Sequence, residues 1–435
     1  MTQRAELLTK LKTQAVDVLI IGGGIVGAGI ARDAAMRGLR VALIEQGDFA
    51  SGTSSKTSKL IHGGLRYLEQ GRIRLVFEGL RERQILRTIA PELVWPMSLM
   101  IPSYRRGPRP GWVIALGLQV YDWLAMGRGL RSHQWLSRSR AQQLEPALNT
   151  EGLRGAGRYA DCQMDDARLC LANVLQAIQF GAVCCNYVKV LALEKVGHRL
   201  CGALVHDLIG QEQFEVRAQV IVNASGPWSD AIRKLSNRHA GQRLAPTKGI
   251  HLIVPRLTTD ALFLQCRHDR RMVFLLPWAE RYSLVGTTES TNFGALDDLS
   301  ATRQEVAYLL DAVNRVLPGA SLREADVIAS YAGARPLLAF SGSANRASRE
   351  HRIDIDRFGL VSVVGGKYTT YRLMAQQAVD LIVQHVHLRA DRCLTDQISV
   401  LEPAHPVALS RWQDVTRRLD PIVLTRLLTL YGTGA

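Results

Sequence analysis

The chain has 435 residues, more than one ordinary hydrophobic core holds, so roughly two to three domains are expected. Hydrophobic residues make up 47% of the chain and charged residues 21%, a globular composition that excludes an intrinsically disordered protein. An excess of 54 Lys and Arg over 39 Asp and Glu gives a net charge of +15, which favours anionic partners such as phosphates, nucleic acid or lipid headgroups.

The seven cysteines contain no C-x-x-C pair, which predicts a reducing compartment, no disulfide framework and no structural metal site. The N-terminal sequence MTQRAELLTKLKT lacks the apolar core of a signal peptide, and no stretch approaches the roughly 18 apolar residues of a membrane span. We therefore expect a cytosolic protein or one that is peripheral to a membrane.

The first strongly patterned segment predicts a βαβ unit. Residues 16–21 (VDVLII) are apolar and rich in β-branched side chains, residues 25–38 have helical spacing, and residues 40–45 (RVALIE) form a second apolar run. Two buried strands joined by a helix are the building block of a parallel sheet.

Three glycines at the start of this helix form the pattern G-x-G-x-x-G, and Glu45 ends the next strand. Gly22 allows the tight turn, Gly24 lets the backbone approach a pyrophosphate, and Gly27 permits close packing of helix on strand. Glu45 is placed to accept hydrogen bonds from ribose hydroxyls. The unit therefore predicts a dinucleotide site, and both NAD and FAD satisfy it.

The remaining elements follow in chain order. After Glu45 a segment rich in hydroxyl side chains (DFASGTSSKTSKLIHGG) predicts a ligand-binding loop. The β-rich stretch 244–286 predicts a second domain with a mixed or antiparallel sheet. The other predictions are helices over 72–89, 167–181 and 302–316, an insertion over 91–140, strands over 183–193, 200–207 and 216–223, and a strand, glycine turn and helix over 359–384.

Seven segments, in this order, resemble the FAD-dependent glycerol-3-phosphate dehydrogenase family: TSSKTSKLIHGGLRYLE, YADCQMDDARL, VNASGPWSD, TKGIHLIVP, VGTTE, YAGARPL and VVGGKYTTYR. The resemblance covers about residues 15–390 and implies FAD as the cofactor. It also implies an α/β fold of the amino-acid-oxidase type, with a discontinuous Rossmann-type FAD-binding domain, a β-sheet substrate cap and a truncated α-helical C-terminal region. The implied ranges are 15–90, 150–235 and 330–390 for the FAD domain, 91–149 and 236–329 for the cap, and 391–435 for the C-terminal region, with helical fragments near 406–430.

The reaction that the resemblance implies is oxidation of sn-glycerol 3-phosphate to dihydroxyacetone phosphate, by hydride transfer from C2 to FAD. Such a site needs a base, a group that stabilises negative charge on the flavin, and a phosphate clamp. His62 is the first candidate for the base because imidazole titrates near the working pH, and His251 is the alternative, as base or as a hydrogen-bond partner of the substrate. Arg335 and Lys367 complete the expected catalytic set.

The resemblance also implies the binding residues. Planar arginine donors suit a phosphate dianion, and the helix that opens after Gly366 can direct backbone N–H groups and its dipole at the flavin. The expected substrate contacts are Arg66, Tyr67, His251, Thr288, Arg335 and Arg349. The expected cofactor contacts are Gly22, Gly24, Gly27, Glu45, Thr53, Ser54, Ser58, Lys59, Leu60, His62, Ala224, Gly226, Gly366, Lys367 and Thr369.

Residues 105–140 predict an apolar helix of about 14 residues, bearing Trp112, Tyr121 and Trp123 and flanked by arginines. It is too short to span a bilayer, and its composition suits a helix lying in an anionic membrane interface. A buried cap helix is the alternative interpretation. The resemblance extends to bacterial members of the family that pass electrons to ubiquinone, so we expect a membrane quinone as partner. The expected location is the cytoplasmic face of the inner membrane, and the alternative is the cytoplasm. A homodimer is a further possibility.

Two other functions fit parts of the sequence. A glycerol-3-phosphate oxidase has the same fold and residues but returns electrons to oxygen, producing hydrogen peroxide. A flavin-dependent RNA- or tRNA-modifying protein would suit the net charge of +15. The chain lacks the catalytic cysteine arrangement that such a protein needs, so no nucleic-acid partner is expected.

Overall fold

The structure is a computed structural model of the chain. It describes residues 3–107, 109–127, 130–265, 271–339 and 350–401, together with residues 420, 423 and 427. The helices are α1 (Gln3–Thr13), α2 (Ile25–Met36), α3 (Ile73–Ile89), α4 (Gly111–Ala125), α5 (Arg138–Leu144), α6 (Asp166–Gln179), α7 (Ser229–Ser236), α8 (Arg303–Val316) and α9 (Tyr371–Val386).

The strands, in chain order, are β1 (Val16–Ile21), β2 (Val41–Ile44), β3 (Leu60–Ile61), β4 (Val94–Tyr104), β5 (Gln134–Ser137), β6 (Leu153–Met164), β7 (Val183–Cys185), β8 (Val188–Val196), β9 (Arg199–Asp207), β10 (Glu212–Asn223), β11 (Thr247–Pro255), β12 (Ala261–Gln265), β13 (Met272–Trp278), β14 (Tyr282–Gly286), β15 (Ala329–Arg335), β16 (His351–Ile355) and β17 (Leu360–Gly365). They form two sheets.

Within the described residues the first sheet has eight strands, with β16, β17, β10, β1, β2 and β7 side by side and with β9 and β8 added against β10. The strands from β17 to β7 are parallel, and β16 is antiparallel to β17. Val18 and Ile20 of β1 are buried in the core that includes α2, α6 and α9, while Leu19 and Ile21 are buried on the other face with Leu11 of α1. Because helices cover both faces, the strand is a continuous apolar run.

Three strands of this sheet end at one edge, where turns with little side-chain bulk follow them. β1 is followed by Gly22, β10 by Ala224, and β17 ends in Gly365 and continues to Gly366. Ligands of open parallel sheets bind at the carboxyl ends of the strands, because a crevice forms where the connections from neighbouring strands leave toward opposite faces of the sheet. This edge therefore positions the candidate site.

The second sheet has nine strands in the described part of the chain, in the order β15, β11, β14, β13, β12, β4, β6 and β3, with β5 paired to β6. Neighbouring strands are antiparallel except β12 and β4, which are parallel. Leu309 and Val313 of α8 pack on one face, and Leu118 of α4 belongs to the core on the other. The predicted mixed or antiparallel second sheet is confirmed.

The chain crosses between the two sheets several times. Strands β3 and β6 and residues 330–335 of β15 lie within the ranges predicted for the FAD domain, and they belong to the second sheet, where β3 pairs with β6, β6 with β4 and β15 with β11. The domain ranges themselves stay a prediction.

Residues 391–401 form turns rather than a helix and pack beside α2 and α3. Arg32 of α2 donates to the carbonyl of Ile398 at 2.7 Å, and the backbone N–H of Val400 donates to the carbonyl of Ile89 at 2.7 Å. The rest of the predicted C-terminal helical region lies outside the described residues, apart from residues 420, 423 and 427.

Candidate active site

A cavity of about 1810 Å³ lies between the carboxyl edge of the first sheet and the second sheet. Its walls include the turns after β1, β10 and β17, the hydroxyl-rich loop, strands β11 and β15, and helix α4. Its volume exceeds the usual range of about 300–1,000 Å³ for a small-molecule site. There is space for an extended dinucleotide together with a second molecule.

The turn after β1 requires glycine for steric reasons. Gly22 has a φ of +111°, and a Cβ there would lie 2.7 Å from the carbonyl oxygen of Ala224. At Gly27 a Cβ would lie 1.9 Å from the carbonyl oxygen of Gly22. Gly22 and Gly24 line the cavity, whereas Gly27 lies behind them and lets α2 begin against β1.

Glu45 lies at the end of β2 and lines the cavity. Its Oε2 accepts from the backbone N–H of Gly23 at 2.7 Å, and its Oε1 accepts from that of Gly47 at 2.8 Å. Each carboxylate oxygen has two lone pairs, so both can accept a further hydrogen bond. The side chain is therefore fixed and still able to accept from the hydroxyls of a ribose.

The hydroxyl-rich loop places its residues in different roles. Thr53 Oγ1 donates to the carbonyl of Ala334 at 2.7 Å and so ties the loop to the second sheet. Ser54 Oγ accepts from the backbone N–H of Ile25 at 2.9 Å, satisfying one of the free donors at the start of α2. Both residues line the cavity.

Further along this loop, Ser58 and Leu60 also line the cavity, while Lys59 is not among its lining residues. Ser58 Oγ lies 2.8 Å from Nε2 of His251. Lys59 instead directs its ammonium at Asp166, at 2.5 Å, and away from the space where a cofactor would lie. The backbone of Lys59 has a positive φ of +52°, whereas β3 begins at the next residue.

The turn after β10 brings Ala224 and Gly226 to the same cavity. The backbone N–H of Ala224 donates to the carbonyl of Ile21 at 2.9 Å, which holds this turn against the one after β1. Gly226 has a φ of +55°. The two turns together make a backbone-lined end of the cavity.

The glycine turn after β17 lies at the other end. Gly365 and Gly366 both have positive φ, of +75° and +86°, and a short 3₁₀ helix (Tyr368–Thr370) then leads into α9. Thr369 Oγ1 accepts from the backbone N–H of His62 at 3.3 Å, so the turn and the loop containing His62 are joined. Gly366, Lys367, Thr369 and His62 all line the cavity.

Lys367 and Tyr67 meet in the cavity wall. The Lys367 ammonium lies 3.7 Å from the centroid of the Tyr67 ring, a cation–π contact. A Cβ at Gly64 would lie 2.3 Å from Tyr67 and 3.6 Å from Lys367 Nζ, so the absence of a side chain there makes this arrangement possible. The side chain of Arg66 and the whole of Arg349, both predicted to contact substrate, lie outside the described residues.

Arg335 ends β15 with its guanidinium held by the loop after β14. Its Nη2 donates to Thr287 Oγ1 at 2.7 Å and to the carbonyl of Thr288 at 3.1 Å. A Cβ at Gly249 would lie 2.3 Å from this nitrogen. Thr288 itself is buried, accepts from the backbone N–H of Ile250 at 3.0 Å, and does not line the cavity, whereas Thr287 and Arg335 do.

His251 lies on the neighbouring strand β11, lines the cavity and is only 3% exposed. Its ring stacks on Tyr331, with centroids 4.9 Å apart, and packs over Gly286, where a Cβ would lie 2.1 Å from Cδ2. Burial, followed by the positive charges of Arg335 and Lys59, lowers the pKa of His251 well below its usual range. The imidazole is therefore neutral near physiological pH and is able to accept a proton.

Three residues that shape the site were not predicted from the sequence. Gly249 and Gly286 leave space for Arg335 and His251, and Tyr331 supports the His251 ring. A glycine inside an apolar strand such as TKGIHLIVP is itself a signal of close approach by another group. The Tyr331 contact has no such signal, because it depends on strand register.

The wall of the cavity fits FAD on geometric grounds. At its backbone-lined end, glycine positions that admit no side chain and the fixed carboxylate of Glu45 suit the pyrophosphate and ribose of the adenosine half. At its other end, the glycine turn before α9 and the Lys367 ammonium suit a ring system that becomes negatively charged on reduction.

Comparison with known proteins agrees with this fit. Residues 17–372 match the model of the family described as FAD dependent oxidoreductase. The chain is 39% identical over 439 residues to glycerol-3-phosphate dehydrogenase 2 of Mycobacterium tuberculosis, covering 99% of this chain and 74% of that protein. It is 39% identical over 448 residues to glycerol-3-phosphate dehydrogenase of Synechocystis sp., covering 98% and 81%.

Among solved structures, the glycerol-3-phosphate dehydrogenase from Bacillus halodurans, complexed with FAD, superimposes with a TM-score of 0.80 at 30% identity, covering 99% of this chain and 78% of that one. Fold and site together define an FAD-dependent oxidoreductase. More closely, the chain belongs to the FAD-dependent glycerol-3-phosphate dehydrogenase family. The family, the fold and the FAD cofactor predicted from the sequence are thereby confirmed.

Proposed function

We propose that this chain oxidises sn-glycerol 3-phosphate at C2 to give dihydroxyacetone phosphate. The observation that supports it most directly is the pairing, in one cavity wall, of a neutral buried imidazole at His251 with the guanidinium of Arg335. Oxidation of a secondary alcohol needs a proton acceptor for the hydroxyl and positive charge near the developing alkoxide, and these two groups provide them. The chemistry that bound FAD supplies is acceptance of the hydride from C2.

The base in this proposal is His251 rather than His62, the first candidate from the sequence. Burial first, and then Arg335 and Lys59, favour the neutral form of His251, so the ring is able to accept the proton of the C2 hydroxyl. His62 is joined to Thr369 through its backbone and lines the cavity beside the glycine turn, which suits a role in holding the cofactor. Replacing His251 by Asn should slow flavin reduction about 10²–10⁴-fold, and His62→Asn should slow it less.

The phosphate would be held by cationic side chains in the cavity wall. Lys56, Arg271, Arg335 and Lys367 all line the cavity, and each suits a dianionic group. Arg66 and Arg349 remain predictions from the sequence as further contacts. Tyr67 can donate its hydroxyl to the same phosphate, since its ring is fixed beside Lys367.

Anaerobic mixing of the holoenzyme with sn-glycerol 3-phosphate, followed by flavin absorbance, tests the reaction. Bleaching by this compound, but not by glycerol or glycerol 2-phosphate, is the expected result, because only the first presents both the phosphate and the C2 hydroxyl in the required positions. Equal bleaching by glycerol would mean that the phosphate is not recognised. No bleaching by any of the three would overturn the proposed function.

For the electron acceptor we propose a membrane quinone. Part of the cavity wall is apolar and comes from Ile101, Val113, Leu116, Phe263 and Phe274, which suits an isoprenoid compound better than a polar triol phosphate. Leu116 is also 57% exposed, so this wall reaches the surface on α4. Reduction of a soluble quinone analogue with little peroxide supports this acceptor, whereas one peroxide per substrate in air would identify the oxidase alternative.

Helix α4 would bring this part of the cavity to an anionic membrane surface. Trp112 is 68% exposed and Trp123 is 76% exposed, and Arg105 and Arg106 are exposed before the helix. Exposed tryptophans beside arginines suit binding in the headgroup region. Across the part of the chain that the structure describes, no helix combines the length and apolarity needed to cross a bilayer.

Sedimentation with vesicles tests this surface. The wild-type holoenzyme should sediment with vesicles that contain anionic lipid at low salt, and the double variant Trp112→Ser and Trp123→Ser should bind them less. Neither tryptophan lines the cavity, so bleaching by substrate in detergent should match the wild type. Failure of the wild type to sediment would contradict the membrane assignment while leaving the reaction intact.

A further inference from the structure

The His251 ring has a polar partner whose role the proposed reaction does not explain. Its Nε2 lies 2.8 Å from the hydroxyl oxygen of Ser58. Ser58 lies on a loop and not on β14 or β15, the two strands that flank β11. The flanking strands contribute Tyr331 and Gly286, which limit movement of the ring by packing alone. Packing fixes the plane of an imidazole, but only a hydrogen bond distinguishes its two nitrogens.

The backbone around Ser58 is held by a single buried carboxylate. Asp166 Oδ2 accepts from the backbone N–H of Thr57 at 3.1 Å and from its hydroxyl at 2.7 Å. Asp166 Oδ1 pairs with the Lys59 ammonium at 2.5 Å, and the Asp166 side chain is completely buried. The residues on both sides of Ser58 are therefore fixed to the same group.

A second contact links this loop to Tyr331, the residue whose ring packs against His251. The Tyr331 hydroxyl donates to the carbonyl of Thr57 at 2.7 Å, while the Tyr331 ring stacks on His251. The Ser58 hydroxyl and the His251 ring are thus positioned by one connected set of contacts. Such sets orient a functional histidine through residues that do not themselves react.

The two nitrogens of His251 differ in their surroundings. Within the described residues Nδ1 is buried and has no hydrogen-bond partner. Nε2 has the Ser58 hydroxyl as its partner at 2.8 Å, and in the charged ring this nitrogen carries an N–H that donates to Ser58 Oγ. The contact with Ser58 is therefore the hydrogen bond that fixes the orientation of the ring.

We propose that Ser58 is a positioning residue for His251, and that its hydroxyl fixes the orientation of the imidazole through the hydrogen bond with Nε2. The inference rests on the proposed function, in which His251 accepts the proton of the C2 hydroxyl. Ser58 was predicted from the sequence as a cofactor contact, and the inference gives its hydroxyl a separate role.

The test compares three variants of the holoenzyme: Ser58→Ala, Ser58→Thr, and Ser55→Ala as the matched control. The Ser55 hydroxyl lies in the same loop, makes only a 3.5 Å contact to the carbonyl of Gly52 and is not among the cavity-lining residues. Flavin content, and the rate of flavin reduction by sn-glycerol 3-phosphate at saturation, are measured across pH. The apparent dissociation constant of the substrate is obtained from the same traces.

Ser58→Ala should reduce the rate about 10- to 100-fold, by analogy with the loss found when the hydrogen-bond partner of a metal-binding histidine is removed. The substrate dissociation constant and the FAD content should change little, and Ser58→Thr should restore most of the rate because it keeps the hydroxyl. The bond from Nε2–H to Ser58 is stronger when the ring is charged. Removing this bond should lower the pKa of His251 further. In Ser58→Ala the fall in rate at acid pH should therefore occur at a lower pH than in the wild type.

The groups that face His251 are otherwise unchanged in these variants. Arg335 and Tyr331 face it from β15 and Lys59 from the loop, and burial keeps Tyr331 protonated by raising its pKa above the usual range. A Ser58→Ala rate and pH profile equal to those of Ser55→Ala would overturn the inference, as would loss of FAD from Ser58→Ala. If the wild type is not reduced by sn-glycerol 3-phosphate, it is the proposed function that fails.

Discussion

The surroundings of His251 favour the neutral form of its imidazole, and this predicts an unusual pH dependence of the reaction rate. Burial first, and then Arg335 and Lys59, lower the pKa of this ring well below 6.5. A base must be deprotonated to act, so a lowered pKa preserves activity as the pH falls. The rate of flavin reduction should stay level as the pH falls through about 6.5 and decline only at lower pH.

The measurement is anaerobic stopped-flow reduction by saturating sn-glycerol 3-phosphate, in buffers from about pH 5 to about pH 8, the range over which histidine ordinarily titrates. A rate that halves near the ordinary histidine pKa would contradict the prediction. It would indicate a base with an unshifted pKa, and repeating the series with His62→Asn would show whether that base is His62.

Gly249 leaves the space that the Arg335 guanidinium occupies, so a side chain at this position should reduce activity. A Cβ there would lie 2.3 Å from Arg335 Nη2 and 2.5 Å from Thr287 Oγ1, so Gly249→Ala must displace the guanidinium. Hydrogen bonds to charged groups contribute about 1.5–3 kcal/mol, which corresponds to roughly a 10- to 100-fold loss of kcat/KM. FAD content should be unchanged.

Gly241→Ala is the matched control for Gly249→Ala, because a Cβ at Gly241 has no neighbour within 4 Å. Steady-state kinetics with a quinone analogue give kcat/KM for both variants. An effect of equal size in the two would mean that the loss at Gly249 does not arise from Arg335.

At the scale of elements, a buried network of hydrogen bonds joins α3, α4 and β6 to the loop beside His62. The backbone N–H of Gly63 donates to the Tyr121 hydroxyl at 2.9 Å, and that hydroxyl donates to Asp161 at 2.9 Å. Arg83 pairs with the same carboxylate at 2.5 Å. A buried hydrogen-bond network of this kind restricts how its elements can be arranged.

Tyr121→Phe should therefore destabilise the protein by about 1–3 kcal/mol, since it removes a hydroxyl that donates to the buried Asp161 carboxylate and leaves the Gly63 N–H with only its 3.4 Å contact to that carboxylate. Tyr104→Phe provides the control, because the Tyr104 hydroxyl is buried and has no hydrogen-bond partner among the described residues. Urea unfolding of the two holoenzymes measures the difference in free energy of unfolding. Equal stabilities would show that the Tyr121 hydroxyl contributes nothing.

The elements also show what the sequence alone can predict. The unit from β1 to β2 was predicted because its apolar runs and glycine spacing are local, and the same holds for the glycine turn before α9. The contacts of Ser58 with His251 and of Tyr331 with the same ring join residues far apart in the chain. They depend on strand register and sheet membership, which no local pattern specifies.

For the whole molecule, the position of the cavity between two sheets predicts that FAD stabilises the folded protein. A cofactor that binds only the folded state adds RT ln(1 + [L]/Kd), about 4 kcal/mol at a thousandfold excess over Kd. Thermal unfolding of the apoprotein, titrated with FAD, should therefore show a melting temperature that rises with FAD concentration.

Gly22→Ala separates this effect from nonspecific stabilisation, because a Cβ there would lie 2.7 Å from the Ala224 carbonyl oxygen and displace the turns that line the cofactor end of the cavity. Its melting temperature should respond far less to FAD. Gly294→Ala, where a Cβ meets nothing within 4 Å, should respond like the wild type. A wild-type melting temperature independent of FAD would mean that the two sheets are held together without the cofactor, and the stabilising role assigned to it would be wrong.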